Sequence, residues 1–144
     1  MRFLTFFILA LHIFIFACAK EKANVEIIKD KEIDLQMIDA YQEGLKALDE
    51  QDGLTAAKKF SEAELLFPQS IWAPRSSLMA AYSYYRDQYY SDTIYELERF
   101  LKTYPNHPRT DYAYYLLAIT YYDKIVDETK DLESIIQSKK YFEY

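Results

Sequence analysis

Cys18 is the one thiol among 144 residues. It stands directly behind the apolar run Phe3–Phe16 and the small residue Ala17. A thiol so placed is a nucleophile that can be alkylated at a membrane surface, and without a second cysteine it cannot enter an internal disulfide. Other chemistry is thinly supplied. His12 belongs to the apolar run and His107 stands alone between Asn106 and Pro108, so no histidine pair offers metal ligation or proton relay. Two glycines in the whole chain rule out a glycine-rich phosphate loop. Aspartate and glutamate are spread along helical faces rather than paired across a cleft, as two-carboxylate catalysis requires. No catalytic, cofactor or metal site is expected. Tyrosine, by contrast, is abundant: all 15 lie beyond residue 40. Each offers apolar area plus a hydroxyl that can satisfy the backbone of an extended peptide.

The elements that must position these rings follow from an internal repeat. Ser76–Tyr85 overlays Ala113–Tyr122 with an offset of 37 residues, and the same step carries Gly44 to Ala81 to Ala118. It also carries Phe60 to Leu97, Ala63 to Phe100 and Pro68 to Pro105. A fixed period in this range marks stacked supersecondary units, none of which can bury its apolar face alone. Small residues recur where two helices approach closely, bulky ones where the gap is filled, and proline where the second helix stops.

From Asp34 onward, Leu35, Ile38, Tyr41, Leu45 and Leu48 recur at helical steps. Gly53, in Gln51-Asp52-Gly53, is expected to supply a left-handed cap to this helix. Later helices are expected over 54–67, 69–87, 90–104 and 110–124, followed by a lengthened turn over Ile125–Glu133. The expected class is all-α: a helical-hairpin solenoid of about two and a half repeats, with units 34–68, 69–105 and 106–144. The last unit reads as incomplete, because its closing proline does not arrive before Tyr144.

Residues 1–17 read as a lipoprotein signal peptide. Met1-Arg2 makes a positive start, and the 14 apolar-rich residues Phe3–Phe16 fall short of the roughly 20 needed to span a bilayer. Ile15-Phe16-Ala17-Cys18 resembles a bacterial lipobox, which implies lipidation of Cys18 and attachment of the membrane through that lipid. Ala19 in place of aspartate points to the outer membrane. Residues 18–33 are polar and charge-rich, a tether between membrane and domain. A formal net charge of −6 argues against nucleic acid and against a polybasic lipid contact.

The alanine, bulky and proline landmarks of the hairpins resemble tetratricopeptide repeats: Gly44, Ala56, Phe60, Ala63 and Pro68 match that pattern in the first unit. Further, Trp72-Ala73-Pro74-Arg75, Leu78–Tyr82, Tyr89-Tyr90, Glu98-Arg99-Phe100, Tyr104-Pro105, Tyr112–Leu116 and Tyr121-Tyr122, together with the lipobox, resemble the YfiO (BamD) family of outer-membrane assembly lipoproteins. That resemblance implies a non-enzymatic component of the machine that folds β-barrel proteins into the outer membrane. It also implies the partners: BamA, further assembly lipoproteins, and unfolded barrel precursors received by the amino-terminal repeats. Five repeats are usual in that family, so a carboxy-terminal part is expected to be missing here. The other reading is a different periplasmic tetratricopeptide lipoprotein, an envelope or cell-wall adaptor using the same groove.

In stacked hairpins the first helix of each unit lines the concave face. The repeat step places Tyr41 and Leu45, then Leu78, Tyr82 and Tyr85, then Tyr115, Ile119 and Tyr122 on it. Arg75 and Arg86 lie about three turns apart on one helix and are expected to meet a substrate carboxylate, or else each pairs with a neighbouring acidic residue, such as Glu96 or Asp87, on a solvated surface.

Overall fold

The computed structural model describes residues 25–127 and 132–144. Cys18 and the signal segment lie outside them. The chain divides into two units, Met1–Lys31, of which the opening of the first helix is described, and Glu32–Tyr144, which holds the repeats. The described elements are α1 (Val25–Asp49), α2 (Gly53–Leu66), α3 (Ala73–Arg86), α4 (Tyr90–Thr103), α5 (Thr110–Asp127) and α6 (Leu132–Phe142). Among the described residues there is no strand. The chain is all-α, arranged as tetratricopeptide-like hairpins in which α3 packs on α2, α4 and α5, α4 on α5, and α5 on α6.

Each boundary has a local cause. Asp52 caps α2 by accepting the Thr55 N–H at 2.9 Å. Ser70 Oγ accepts the N–H groups of Trp72 and Ala73, both at 3.2 Å, where α3 begins. One repeat later, His107 Nδ1 accepts the Arg109 N–H at 3.2 Å ahead of α5. These side chains occupy amides that no helical carbonyl can reach.

Helices α1 and α3 end alike. Gln51 and Gln88 sit at φ 63° and 62°, again one repeat apart. Asp52 N–H reaches back to Ala47 O at 2.9 Å and Tyr89 N–H to Tyr84 O at 3.0 Å, closing a Schellman motif in each case. The left-handed position is therefore Gln51, not Gly53 as expected. Gly53 is small for another reason: a Cβ there would lie 2.5 Å from Ser83 O and 2.6 Å from Asp87 Cγ. Its N–H donates to Asp87 Oδ2 at 2.8 Å, joining the start of α2 to the end of α3.

Two further boundaries differ from expectation. Helix α1 starts at Val25, inside the stretch read as a tether, because no glycine or proline stops a helix between Val25 and Asp34. Helix α5 runs on to Asp127 and α6 begins at Leu132. Ile125–Asp127 and Leu132-Glu133 are thus helical, and the rest of the expected turn, 128–131, lies outside the described residues.

The core runs through the repeat as a series of clusters. Met37, Ala40 and Ala63 form one, and Ala47, Leu48, Ala56, Phe60 and Ala80 the next. Leu78, Ala81, Leu97, Phe100, Ala113, Leu116 and Leu117 form the largest. A Cβ on Gly44 would lie 2.9 Å from the fully buried Phe60 ring, so the smallest residue faces the largest. In the second unit the same two positions hold Ala81 and Leu97, both buried. The third unit departs from this rule. Its α6 turns Ser134 and Ser138 inward, with Ser138 Oγ donating to Ala118 O at 3.0 Å. Tyr141 supplies the bulk instead, stacking on Tyr121 and Tyr114 at 5.8 and 6.2 Å.

Candidate peptide-binding groove

Arg75, Leu78, Met79 and Tyr82 are spaced three, four and seven residues from the first, which puts them on one face of α3. Tyr41 of α1 flanks that face on one side. On the other lie His107, Pro108, Arg109 and Tyr112, from the α4–α5 turn and the first turn of α5. Together these residues enclose a groove of about 550 Å³.

The groove wall is aromatic and cationic. The Tyr41 ring meets Phe60 and Trp72 edge-on, with centroids 5.1 and 5.4 Å apart. The Arg75 guanidinium lies 5.2 Å from the Trp72 ring centroid, where the ring face attracts a cation. Burial raises the phenol pKa of both Tyr41 and Tyr112, with Arg75 and Arg109 respectively opposing the shift. Both hydroxyls therefore stay protonated, ready to donate as well as accept. Among the described residues no aspartate or glutamate lines the groove, although the chain carries 23 acidic residues against 17 basic ones.

Of the residues expected to bind, the structure brings Tyr41, Arg75, Leu78 and Tyr82 together. The others are placed elsewhere. Leu45 is exposed on α1 and Tyr122 on α5, while Ile119 is half-buried outside the groove lining. Tyr115 borders an adjoining shallower cleft with Arg109, Asp111 and Tyr112. Tyr85 donates to Asp123 Oδ2 at 2.7 Å, fastening α3 to α5, and burial with this bond raises its pKa far above the usual range. Arg86 Nη1 donates to Leu48 O at 3.1 Å, at the end of α1, so it does not share a site with Arg75. Neither acidic neighbour takes it: Asp87 accepts from Gly53, and Glu96 pairs with Arg99.

Sequence reasoning missed Met79, His107, Pro108, Arg109 and Tyr112. The signal was present, since Tyr112 and Arg109 lie one repeat beyond Arg75 and Trp72. It also missed a part-buried polar cluster centred on Glu64. Glu64 is 5% exposed and receives Arg99 Nη1 and Nη2 at 2.9 and 2.6 Å, one on each carboxylate oxygen. Arg99 also donates to Ser77 Oγ and Glu96 Oε2 at 3.0 and 2.8 Å, and Tyr104 donates to Glu64 Oε1 at 2.9 Å. The cluster ties α2, α3 and α4 together and lines none of the cavities described. Among the described residues no cluster of side chains could hold a metal ion.

Stacked hairpins carrying an aromatic, cationic groove define a tetratricopeptide-like helical scaffold. The chain belongs to the YfiO family, described as outer membrane lipoprotein, whose model matches residues 33–144. It is similar to the outer membrane protein assembly factor BamD of Caulobacter vibrioides, at 35% identity over 79% of this chain and 36% of the relative. The protein of the same name from Rickettsia prowazekii is 33% identical over 72% of this chain and 41% of its own. That from Neisseria meningitidis serogroup A is 32% identical over 75% and 40%. The chain thus spans about two fifths of the relatives it matches, 36% to 41% of their length.

Proposed function

We propose that this chain is a non-enzymatic scaffold of the outer-membrane β-barrel assembly complex, lipid-anchored through Cys18 on the periplasmic face, and that its groove receives unfolded barrel precursors. One observation carries the reading: among the described residues, two arginines and three tyrosines line the groove without any carboxylate, in a protein of net charge −6. An extended segment presenting aromatic side chains and a carboxylate suits that lining. Arginine pairs with the carboxylate through charge-assisted bonds. Tyrosine rings take the apolar side chains, and their hydroxyls meet backbone groups. BamA and the companion lipoproteins are the partners that the family resemblance implies, and no cofactor is required.

The test is a binding titration with a peptide taken from the carboxy terminus of an outer-membrane barrel, with its carboxylate free or amidated. Arg75→Ala weakens the free peptide by about tenfold, as loss of one charge-assisted bond implies, and leaves the amidated one nearly unchanged. Unaltered affinity for the free peptide removes Arg75 from the site. Depletion in the cell gives a second check: loss of barrel proteins supports the reading, whereas a wall or division defect with normal barrels favours an envelope adaptor. Cys18→Ser moves the chain from the membrane to the soluble fraction if the lipid is the anchor.

A further inference from the structure

Helix α1 carries two apolar stripes, and the hairpin uses one. Met37, Ala40, Ala47 and Leu48 are buried. Leu35, Ile38 and Leu45 remain 55%, 40% and 41% exposed. At 100° per residue the second set points well away from the first. With Gln42 it follows the three-four-three spacing of a heptad seam, Leu35, Ile38, Gln42, Leu45. A polar residue at one seam position is the usual device for setting the register of a docked helix.

The flanks of the seam are mostly acidic, with Lys46 the one basic residue between Glu32 and Asp49. Asp34 borders it on one side, Asp39 and Glu32 on the other, and Asp49 lies at its end. Among the described residues none of the four has a lysine or arginine within ion-pairing distance, whereas Glu43 is held by Lys59 at 2.7 Å and Glu50 by Lys46 at 3.9 Å. We propose that this outer stripe of α1 docks one amphipathic helix of a partner protein, apolar along its own heptad seam and lysine- or arginine-rich on the flanks. Charge selects this occupant. A second copy of the chain would set two net-acidic stripes against each other. An anionic lipid surface calls for basic residues beside the apolar stripe, the reverse of what α1 presents. The proposal concerns α1 alone and does not rest on the reading of the groove.

The probe is a labelled synthetic peptide of three heptads, with leucine at both seam positions and lysine on the flanks, titrated into the full chain. Saturable binding is expected, weakened at least about tenfold by Leu35→Ser with Ile38→Ser and independently severalfold by Leu45→Ser, since each side chain is only partly exposed before docking. Asp34→Asn with Asp39→Asn should weaken it severalfold and flatten its salt dependence. Arg75→Ala should leave it unchanged, which separates this surface from the groove. The substitutions fall on exposed positions, apart from the half-buried Asp34, and circular dichroism confirms the helix. Equal affinity for a scrambled peptide of the same composition overturns the proposal, as does no binding, or binding indifferent to the serine variants. Partition onto anionic vesicles, or a dimer in sedimentation, that the serine variants abolish would replace the partner helix by a membrane or a second copy.

Discussion

Glu64 is a carboxylate taken out of water, and what makes that tolerable is the guanidinium of Arg99, which contacts both its oxygens. Removing one partner of a buried pair leaves the other uncompensated. Arg99→Ala should therefore cost about 3 kcal/mol in urea unfolding, and Glu64→Gln in that background should recover more than half of it, because the buried charge is gone. The same cluster shapes the response to alkali. Burial and the bond donated to Glu64 push the Tyr104 hydroxyl up to about 12 from its ordinary 10.0, and burial pushes Tyr121 to about 12. A proton held more tightly in the folded state stabilises that state fully below the unfolded pKa, and the contribution fades as pH rises to the folded one. Stability should be level up to about pH 10 and decline towards pH 12, and Tyr104→Phe with Tyr121→Phe should flatten part of the decline in unfolding curves taken across that window.

Where α1 crosses α2, Gly44 admits the Phe60 ring; where α3 crosses α4, Ala81 stands at the matching position and Leu97 replaces the ring. The second hairpin is in effect the repaired double variant of the first. Gly44→Ala gains up to about 1 kcal/mol of helix propensity but drives a methyl to 2.9 Å from a fully buried ring. Overpacking of that kind costs about 1–3 kcal/mol, so the single variant should be less stable than the parent. Adding Phe60→Leu should restore at least half of the loss. Thermal melts of the parent, the two single variants and the double variant decide it; additive losses would mean that the two positions do not share the crossing.

In a solenoid each helix is supported by its neighbours, so protection follows position in the stack. Helix α3 packs on α2, α4 and α5, and the largest fully buried side chains, Phe60, Leu97, Phe100 and Leu117, lie in α2, α4 and α5 around it. Helix α6 packs on α5 while Leu132, Ile135, Ile136 and Phe142 stay exposed. Local opening should therefore be easiest at α6. Hydrogen exchange followed by mass spectrometry should show α6 amides exchanging at least about tenfold faster than those of α3; equal protection would mean a single cooperative unit.

The all-α class, the hairpin period and the pairing of small with bulky positions were written in the chain, because they depend on which residues recur at helical spacing and at a step of 37. Tyr41, Leu78 and Tyr82 could be placed on one inner face from that periodicity, and Arg75 from helical spacing along the same helix. Other side chains depend on distances that no local pattern records. Arg86 turns to the end of α1, Arg99 reaches Glu64, and Tyr85 reaches Asp123, each across 35 or 38 residues of sequence. The α4–α5 turn read as a simple connection, yet folding sets His107, Pro108 and Arg109 against α3 and makes them a wall of the groove. A repeat dictates which faces must be covered, while the partner of a long polar side chain is chosen only when the helices have stacked and the nearest unsatisfied group is known.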